Sequence, residues 1–322
     1  MNILVTGGAG FIGSHLVQAL LLQGHKVITL DDLSSGRESF LQEVLSHENH
    51  TFIQGSVLNR RLIKQCIDQV EAVFHLAATL GVKNTVEDPI KVIEGNIDGT
   101  RHVLELAFKR GIKVVFASTS EIYGKNTSLP FSEISDRVYG APSIHRWCYA
   151  TAKSIDEHLC FAYADKGLPV TVLRYFNAYG PRQTNSQYGM VVPRFIHAAL
   201  RGEPLLVYGD GSQSRCFTYV DDMVRGTISA LSRQADGLAF NIGSNRPTTV
   251  LRLARMIVKM TDSDSMLQFM SYDEAYGKGF EDMPARIPDL TRSGSVLGFS
   301  SFVSLEEGLE RTIRWSQGHG SE

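Results

Sequence analysis

"MNILVTGGAGFIG", residues 1–13, joins a short apolar run to a glycine-rich turn, and its reading decides the fold. Residues 2–6 have the composition of a buried strand, and the segment from Phe11 onward has helical spacing. Between them Gly7, Gly10 and Gly13 form a G-x-x-G-x-x-G turn, with Phe11 and Ile12 at the opening of the helix. Glycines there permit a tight turn, close backbone approach to a pyrophosphate and close helix-on-strand packing, while a helix N-terminus favours an anion. The next strand, "KVITL" (26–30), runs into Asp31 and Asp32. An acid at that point accepts hydrogen bonds from an adenosine ribose and repels a 2′-phosphate, so NAD is expected over NADP.

Further along, short apolar runs alternate with longer segments of helical period, as repeated βαβ units do. Strands are expected at 2–6, 26–30, 51–55, 72–77, 113–118 and 170–175, with helices at about 11–23, 59–69, 90–110 and 146–165. After "GPR" (180–182) the texture changes to shorter units punctuated by Gly and Pro. The expectation is α/β: a Rossmann doubly wound parallel sheet over 1–180 carrying cofactor and catalytic residues. A smaller α/β substrate-binding lobe follows over 181–322, with some exchange of chain between the two. Because ligands of open α/β sheets bind beyond the carboxyl ends of the strands, Ser56 and Val57, Leu76, Ala77 and Ala78, and Ser118 are expected at the cofactor. His75, inside "VFHLAA", reads as a packed strand-end histidine.

Composition narrows the partners. With 322 residues, 43% hydrophobic and 20% charged, the chain is a globular protein with a full core. A net charge of −2 lacks the basic field that nucleic acid or an anionic membrane requires, which points to a small molecule. Cys66, Cys148, Cys160 and Cys216 lie far apart, in neither a metal-binding nor a disulfide pattern. With no long apolar stretch and no leader-like start, a cytoplasmic, metal-free protein is expected.

Two later stretches carry chemistry. "RWCYATAKSIDEHL" sets Tyr149 and Lys153 four apart, on one helix face. An ammonium beside a phenol stabilises phenolate, so Lys153 is expected to lower the Tyr149 pKa and make it a base near neutrality. The lysine also suits the nicotinamide ribose. "STSEIYG" (118–124) places a hydroxyl cluster and Glu121 at the end of the fifth strand. Y-x-x-x-K alone is a frequent accident, and Glu121 alone reads equally as a solvated loop residue. The upstream glycine motif gives both their context.

Together, "TGGAGFIG", "HLAA", Thr119, "YATAK", "RYFNAYGPR", "YGDGSQSRCFTYVDD" and "SLEEGLERTIRW" resemble the extended short-chain dehydrogenase/reductase family over nearly the whole chain. Its members are nucleotide-sugar epimerases, dehydratases and decarboxylases. The resemblance implies that Tyr149 removes a sugar hydroxyl proton, Thr119 hydrogen-bonds the reacting oxygen, and Lys153 tunes the tyrosine, with NAD taking the hydride. It places Tyr175 and Phe176 on the nicotinamide side, Asn177, Arg182 and Val192 on the substrate, and Tyr208 against the nucleotide base. Arg215 and Arg286 become clamps on the diphosphate, a task that suits a guanidinium fork.

A 4-ketone formed this way can be reduced to the 4-epimer, lose water, or, beside a C5 carboxylate, lose CO2. Simple 4-epimerases resembling this chain carry small uncharged residues at the place of Glu121, and dehydratases an Asp-Glu pair where Ser120 and Glu121 stand. Thr-Ser-Glu resembles two other branches, the UDP-glucuronate decarboxylases and the GDP-mannose dehydratases, and the likeness of "RWCYATAK", "RCFTYV" and "YGKGFEDMPARIPDL" to the decarboxylases favours the first. That likeness puts Glu121 near the substrate carboxylate, holding a proton or positioning a water, and gives Arg215 a share in returning the proton to C5. Ser56 departs from the aspartate usual near the adenine. A non-catalytic NAD-binding module is the reading of a different class, and the presence of both Tyr149 and Lys153 argues against it. The same resemblance implies that the helices near 90–110 and 146–165 pair across a two-fold axis as a four-helix bundle, giving a homodimer.

Overall fold

A computed structural model describes residues 1–79, 85, 87–183, 190–276 and 283–319. Its first half holds β1 (Asn2–Thr6), β2 (Lys26–Asp31), β3 (His50–Gln54), β4 (Ala72–His75), β5 (Lys113–Thr119) and β6 (Val170–Tyr175). After these come the short strands β7 (Ala178–Tyr179), β8 (Leu205–Tyr208), β9 (Ser214–Cys216) and β10 (Thr218–Tyr219). Last come β11 (Leu238–Ile242), β12 (Pro247–Thr249), β13 (Leu267–Met270) and β14 (Ala285–Arg286). The helices that position the site are α1 (Phe11–Leu22), α2 (Arg60–Ile67), α3 (Pro89–Arg110), α4 (Cys148–Ala164), α5 (Val191–Leu200) and α6 (Val220–Ser229).

Seven strands form one sheet in the order β3-β2-β1-β4-β5-β6-β11, every neighbour parallel. This is the doubly wound arrangement, and its order reverses between β1 and β4, where a crevice opens above the strand ends. Alternation of side chains along β1 divides the core: Ile3 and Val5 join Leu16, Val17 and Leu20 of α1 on one face, and Leu4 joins Val73, Val103 and Cys160 on the other. Helices α1 and α6 therefore cover one face, and α2, α3 and α4 the other.

Each of the six expected strands is present, with one shortened. β4 stops at His75, so Leu76–Ala78 leave the sheet and pass over the switch point. The boundary expected at 180–181 is crossed by the sheet itself, because β11 returns from the second half to pair with β6. The remaining short strands pair among themselves in small sheets outside this one. There β9 pairs antiparallel with β12 and parallel with β14, and β8 pairs parallel with β13. Within "YGKGFEDMPARIPDL", residues 277–282 lie outside the described residues.

Candidate active site

The glycine turn is shaped as its sequence requires. Gly7 has φ +71°, and a Cβ there would lie 2.7 Å from the Ala77 nitrogen; at Gly13 a Cβ would lie 2.1 Å from the Gly7 carbonyl oxygen. Gly10 begins α1 with no side-chain cap and no acid in the first turn, so the amide dipoles face the crevice uncompensated. Leu76 and Ala77 are held there by Thr6, whose carbonyl accepts the Leu76 N–H at 3.1 Å and whose Oγ1 accepts the Ala77 N–H at 3.3 Å. A cradle that any Cβ would fill, at an open helix N-terminus, fits a dinucleotide pyrophosphate.

The two aspartates divide. Asp31 is buried and accepts N–H bonds from Ala9 and Leu33, each at 2.9 Å, which ties it to the glycine loop; Asp32 is exposed and accepts the Ser34 N–H at 3.0 Å. Burial raises the Asp31 pKa, against the pull of those two N–H bonds. At the end of β3, the Ser56 hydroxyl accepts the Leu58 N–H at 3.3 Å, and the Val57 carbonyl lies 3.2 Å from Nδ1 of His102. Phe11 and Ile12 pack partly buried against the core at the head of α1.

Across the switch point, β5 ends at Thr119. Its Oγ1 accepts the Glu121 N–H at 3.2 Å and starts the 3-10 turn Ser120–Tyr123. Tyr149 and Lys153 stand one turn apart on α4. Burial raises the Tyr149 pKa above its ordinary value, and the charges of Glu121 and Asp156 add to the rise. The expected lowering by Lys153 is therefore corrected. Its Nζ donates to the Ala117 carbonyl at 3.1 Å, lies 4.5 Å over the Phe116 ring and is 4.0 Å from Asp156, so its charge is engaged behind the tyrosine. Ser118 is corrected too: its hydroxyl is buried and donates to Glu157 at 2.5 Å, beneath the site. His75 is a strand-end histidine as expected, buried between Thr6 at 2.7 Å and Thr100 at 3.3 Å, with burial pushing its pKa down to about 3.

Glu121 is not a solvated loop residue. Arg146 grips it with both Nη atoms, at 2.7 and 3.3 Å, and Arg286 lies 3.6 Å away. Burial pushes the carboxyl up, but Arg146, Arg286 and Arg215 together outweigh it and hold the pKa at about 2. Glu121 is thus ionised, and the expectation that it holds a proton is corrected. Sequence reasoning passes over Arg146. The available signal was its place three residues before Tyr149, where the 3-10 turn His145–Trp147 runs into α4.

Arg215 and Arg286 are register partners across the parallel β9–β14 pair, which sets both buried side chains beside the carboxylate. Nη1 of Arg215 is anchored by the Ser214 and Met283 carbonyls at 2.8 and 2.9 Å. Asn177, at φ +37°, donates to the Cys216 carbonyl at 3.4 Å and so faces the same lobe. Tyr208 lies under the Arg194 guanidinium, 4.2 Å from its ring centroid.

Other expected contacts fall elsewhere. Arg182, at φ +66°, turns to Gln18 at 3.1 Å and Glu43 at 3.8 Å, on the α1 side of the crevice and away from Arg215 and Arg286. Val192 is buried in the core, and Phe176 packs with Ile122, Tyr123 and Phe131, so neither side chain is free for a ligand. The Tyr175 hydroxyl pairs with Thr227 at 2.7 Å.

A glycine cradle at the switch point and a Tyr-Lys pair on the helix across from it define the short-chain dehydrogenase/reductase class. Within that class the chain belongs to the NAD dependent epimerase/dehydratase family, whose pattern matches residues 3–243. It is an enzyme with NAD as its cofactor. It is 48% identical over 312 residues to a UDP-N-acetyl-alpha-D-glucosaminuronate decarboxylase of Bacillus cytotoxicus, a match covering 97% of this chain and 96% of that protein. It is 35% identical to UDP-glucuronic acid decarboxylase 1 of Xenopus tropicalis, over 98% of this chain and 72% of that one. Among solved structures, the UDP-glucuronic acid 4-epimerase of Bacillus cereus in complex with UDP-glucuronic acid and NAD superimposes with a TM-score of 0.88. That likeness covers 99% of both chains at 30% identity.

Proposed function

We propose that this enzyme decarboxylates a UDP-linked hexuronate through a 4-keto intermediate, with the 2-acetamido sugar UDP-N-acetylglucosaminuronate preferred to UDP-glucuronate. The observation that carries the reading is the ionised Glu121 ringed by Arg146, Arg215 and Arg286 two residues beyond Thr119. Three guanidinium groups around one carboxylate form a site that also accepts the carboxylate of a sugar acid. The N-acetylated substrate is preferred because the relative at 48% identity acts on it.

Gly7, Gly10 and Gly13, Asp31 and the Leu76–Ala78 segment would hold the cofactor, and Lys153 would serve its ribose. When bound, NAD supplies a hydride acceptor at sugar C4. Tyr149 takes the proton of the C4 hydroxyl, and Thr119 hydrogen-bonds the same oxygen. The resulting ketone lies β to the carboxylate, so the C5–C6 bond breaks with its electron pair delocalised onto the C4 oxygen. The arginines hold the departing carboxylate in place, and C5 regains a proton from a water held by Glu121 and Arg215. Asn177 and Tyr208 serve the nucleotide diphosphate end.

Incubation with each UDP-uronate labelled at C6 tests this, read by carbon NMR. Labelled CO2 and a UDP-pentose or 4-keto-pentose, formed faster from the N-acetylated sugar, are expected. Label retained in a 4-epimer would replace the reading with epimerisation, to which the Bacillus cereus likeness gives a foothold. Turnover of 6-hydroxymethyl sugars alone would remove the acid sugar altogether.

Two further proposals accompany it. Helices α3 and α4 pack on each other and leave Ile93, Phe108 and Ile155 exposed, which supports a homodimer closing a four-helix bundle about a two-fold axis. Light scattering at micromolar concentration should return twice the chain mass, and a monomer there defeats the proposal. All four cysteines are free, and no helix among the described residues is long and apolar enough to cross a membrane. We place the enzyme in the reducing cytoplasm, and cell fractionation that recovers it elsewhere would contradict this.

A further inference from the structure

Behind Lys153 lies a carboxylate that the chemistry above does not use. Asp156 is three residues further along α4 and completely buried. Among the described residues its oxygens make no hydrogen bond of normal geometry. Its charge is answered by the Lys153 ammonium at 4.0 Å and by the Thr100 hydroxyl facing it from α3. From its own helix Glu157 and Cys160 also face it. Glu157 is already paired with Arg174 at 2.8 Å, and burial raises the Cys160 thiol well above its ordinary pKa, so it stays neutral. On the far side of Thr100, on β4, stands neutral His75. Lys153 is therefore the one cation that faces Asp156 among the described residues.

The lysine needs such a partner. Burial favours its neutral amine, and the largest opposing influence is the charge of Asp156. The Ala117 carbonyl and the Phe116 ring fix its direction, but neither carries a full charge. We propose that Asp156 is a positioning residue for the oxidation step, the buried counter-ion that keeps Lys153 an ammonium beside Tyr149 and the cofactor ribose. The arrangement also has an internal limit. Burial raises the Asp156 carboxyl to about 6, so the counter-ion forms only above that pH, and the same charge opposes phenolate formation at Tyr149. The pair gives the active site an ammonium over a bounded pH interval.

The inference rests on the oxidation step proposed above, whatever the later fate of the ketone. Its test is Asp156→Asn, a change of nearly the same shape. The variant should retain NAD and leave KM for the nucleotide sugar unchanged, since Asn177, Arg215 and Arg286 are untouched. In single turnovers followed by the absorbance of reduced cofactor, its alkaline limb should move down by about one pH unit or more. A limb superimposable on the parent's, even with kcat uniformly reduced, would mark a structural role and overturn the proposal. A measurement free of any substrate decides it independently: nitrogen NMR of the lysine-labelled, NAD-bound parent, with the Lys153 signal assigned by its loss in Lys153→Arg. The signal should remain that of an ammonium throughout the pH range in which the enzyme turns over. A neutral amine near pH ~7 overturns the proposal, even if Asp156→Asn does not fold.

Discussion

Tyr149→Phe is expected to lower turnover by about 10³-fold while the protein keeps its fold and its NAD, because general acid–base groups contribute on that order and the ring is retained. The size follows from the surroundings of the phenol. Tyr149 stands on α4 beyond Thr119, where burial and two carboxylates disfavour its ionisation. Any phenolate that forms is correspondingly basic, and among the described residues no neighbouring side chain is an equivalent acceptor. Glu121 is committed to three arginines at a pKa of about 2, too weak a base to substitute. Cofactor content by mass spectrometry and single-turnover reduction are the measurements. A variant within about tenfold of the parent would remove Tyr149 from the chemistry.

Arg174→Met should reduce the unfolding free energy by about 3–5 kcal/mol, the cost of stranding a buried charge by removing its partner. Arg174 binds Glu157 through Nε at 3.0 Å and Nη2 at 2.8 Å, and its Nη1 reaches the Tyr123 hydroxyl at 2.9 Å and the Glu133 carbonyl at 2.8 Å. Both partners of the ion pair are almost wholly buried. The network continues from Tyr123 to Asn241 of β11 at 2.6 Å, and from Glu157 to Ser118 of β5. It therefore fastens β5, β6, α4, β11 and the Glu121 turn together, and the loss should reach the site as well as the core. Chemical denaturation measures the difference, and a change below about 1 kcal/mol would show that Glu157 finds other compensation.

Much of this was legible in the sequence, for reasons that can be stated. The glycine motif, the period-two strands and the Tyr-Lys spacing are local signals, each dictated by geometry within a few residues. Arg146 was not legible, because its importance depends on Glu121 lying opposite, and the two are brought together by the β5–α4 crossover. Asp156 was hidden for the same reason: in sequence it is one more acid on an amphipathic helix, and only the packing of α3 shows that it faces inward. Arg182, Phe176 and Ser118 erred the other way. Each sits beside residues of the site, but a side chain at a strand end or in a tight turn points to either face, and neighbours distant in sequence decide which. Glu121 shows the third case. The residue stands out in the sequence, but its protonation state depends on arginines from α4's lead-in turn and from the far lobe.

The pairing of β11 with β6 bears on how the protein is made. A chain still attached to the ribosome and ended near Gly180 possesses the entire nucleotide crevice but leaves one ladder of β6 open to any passing strand. Synthesis of the second lobe must proceed past Ile242 before that ladder closes. The second half of the chain thus supplies the last strand of the large sheet, and it does so late in synthesis.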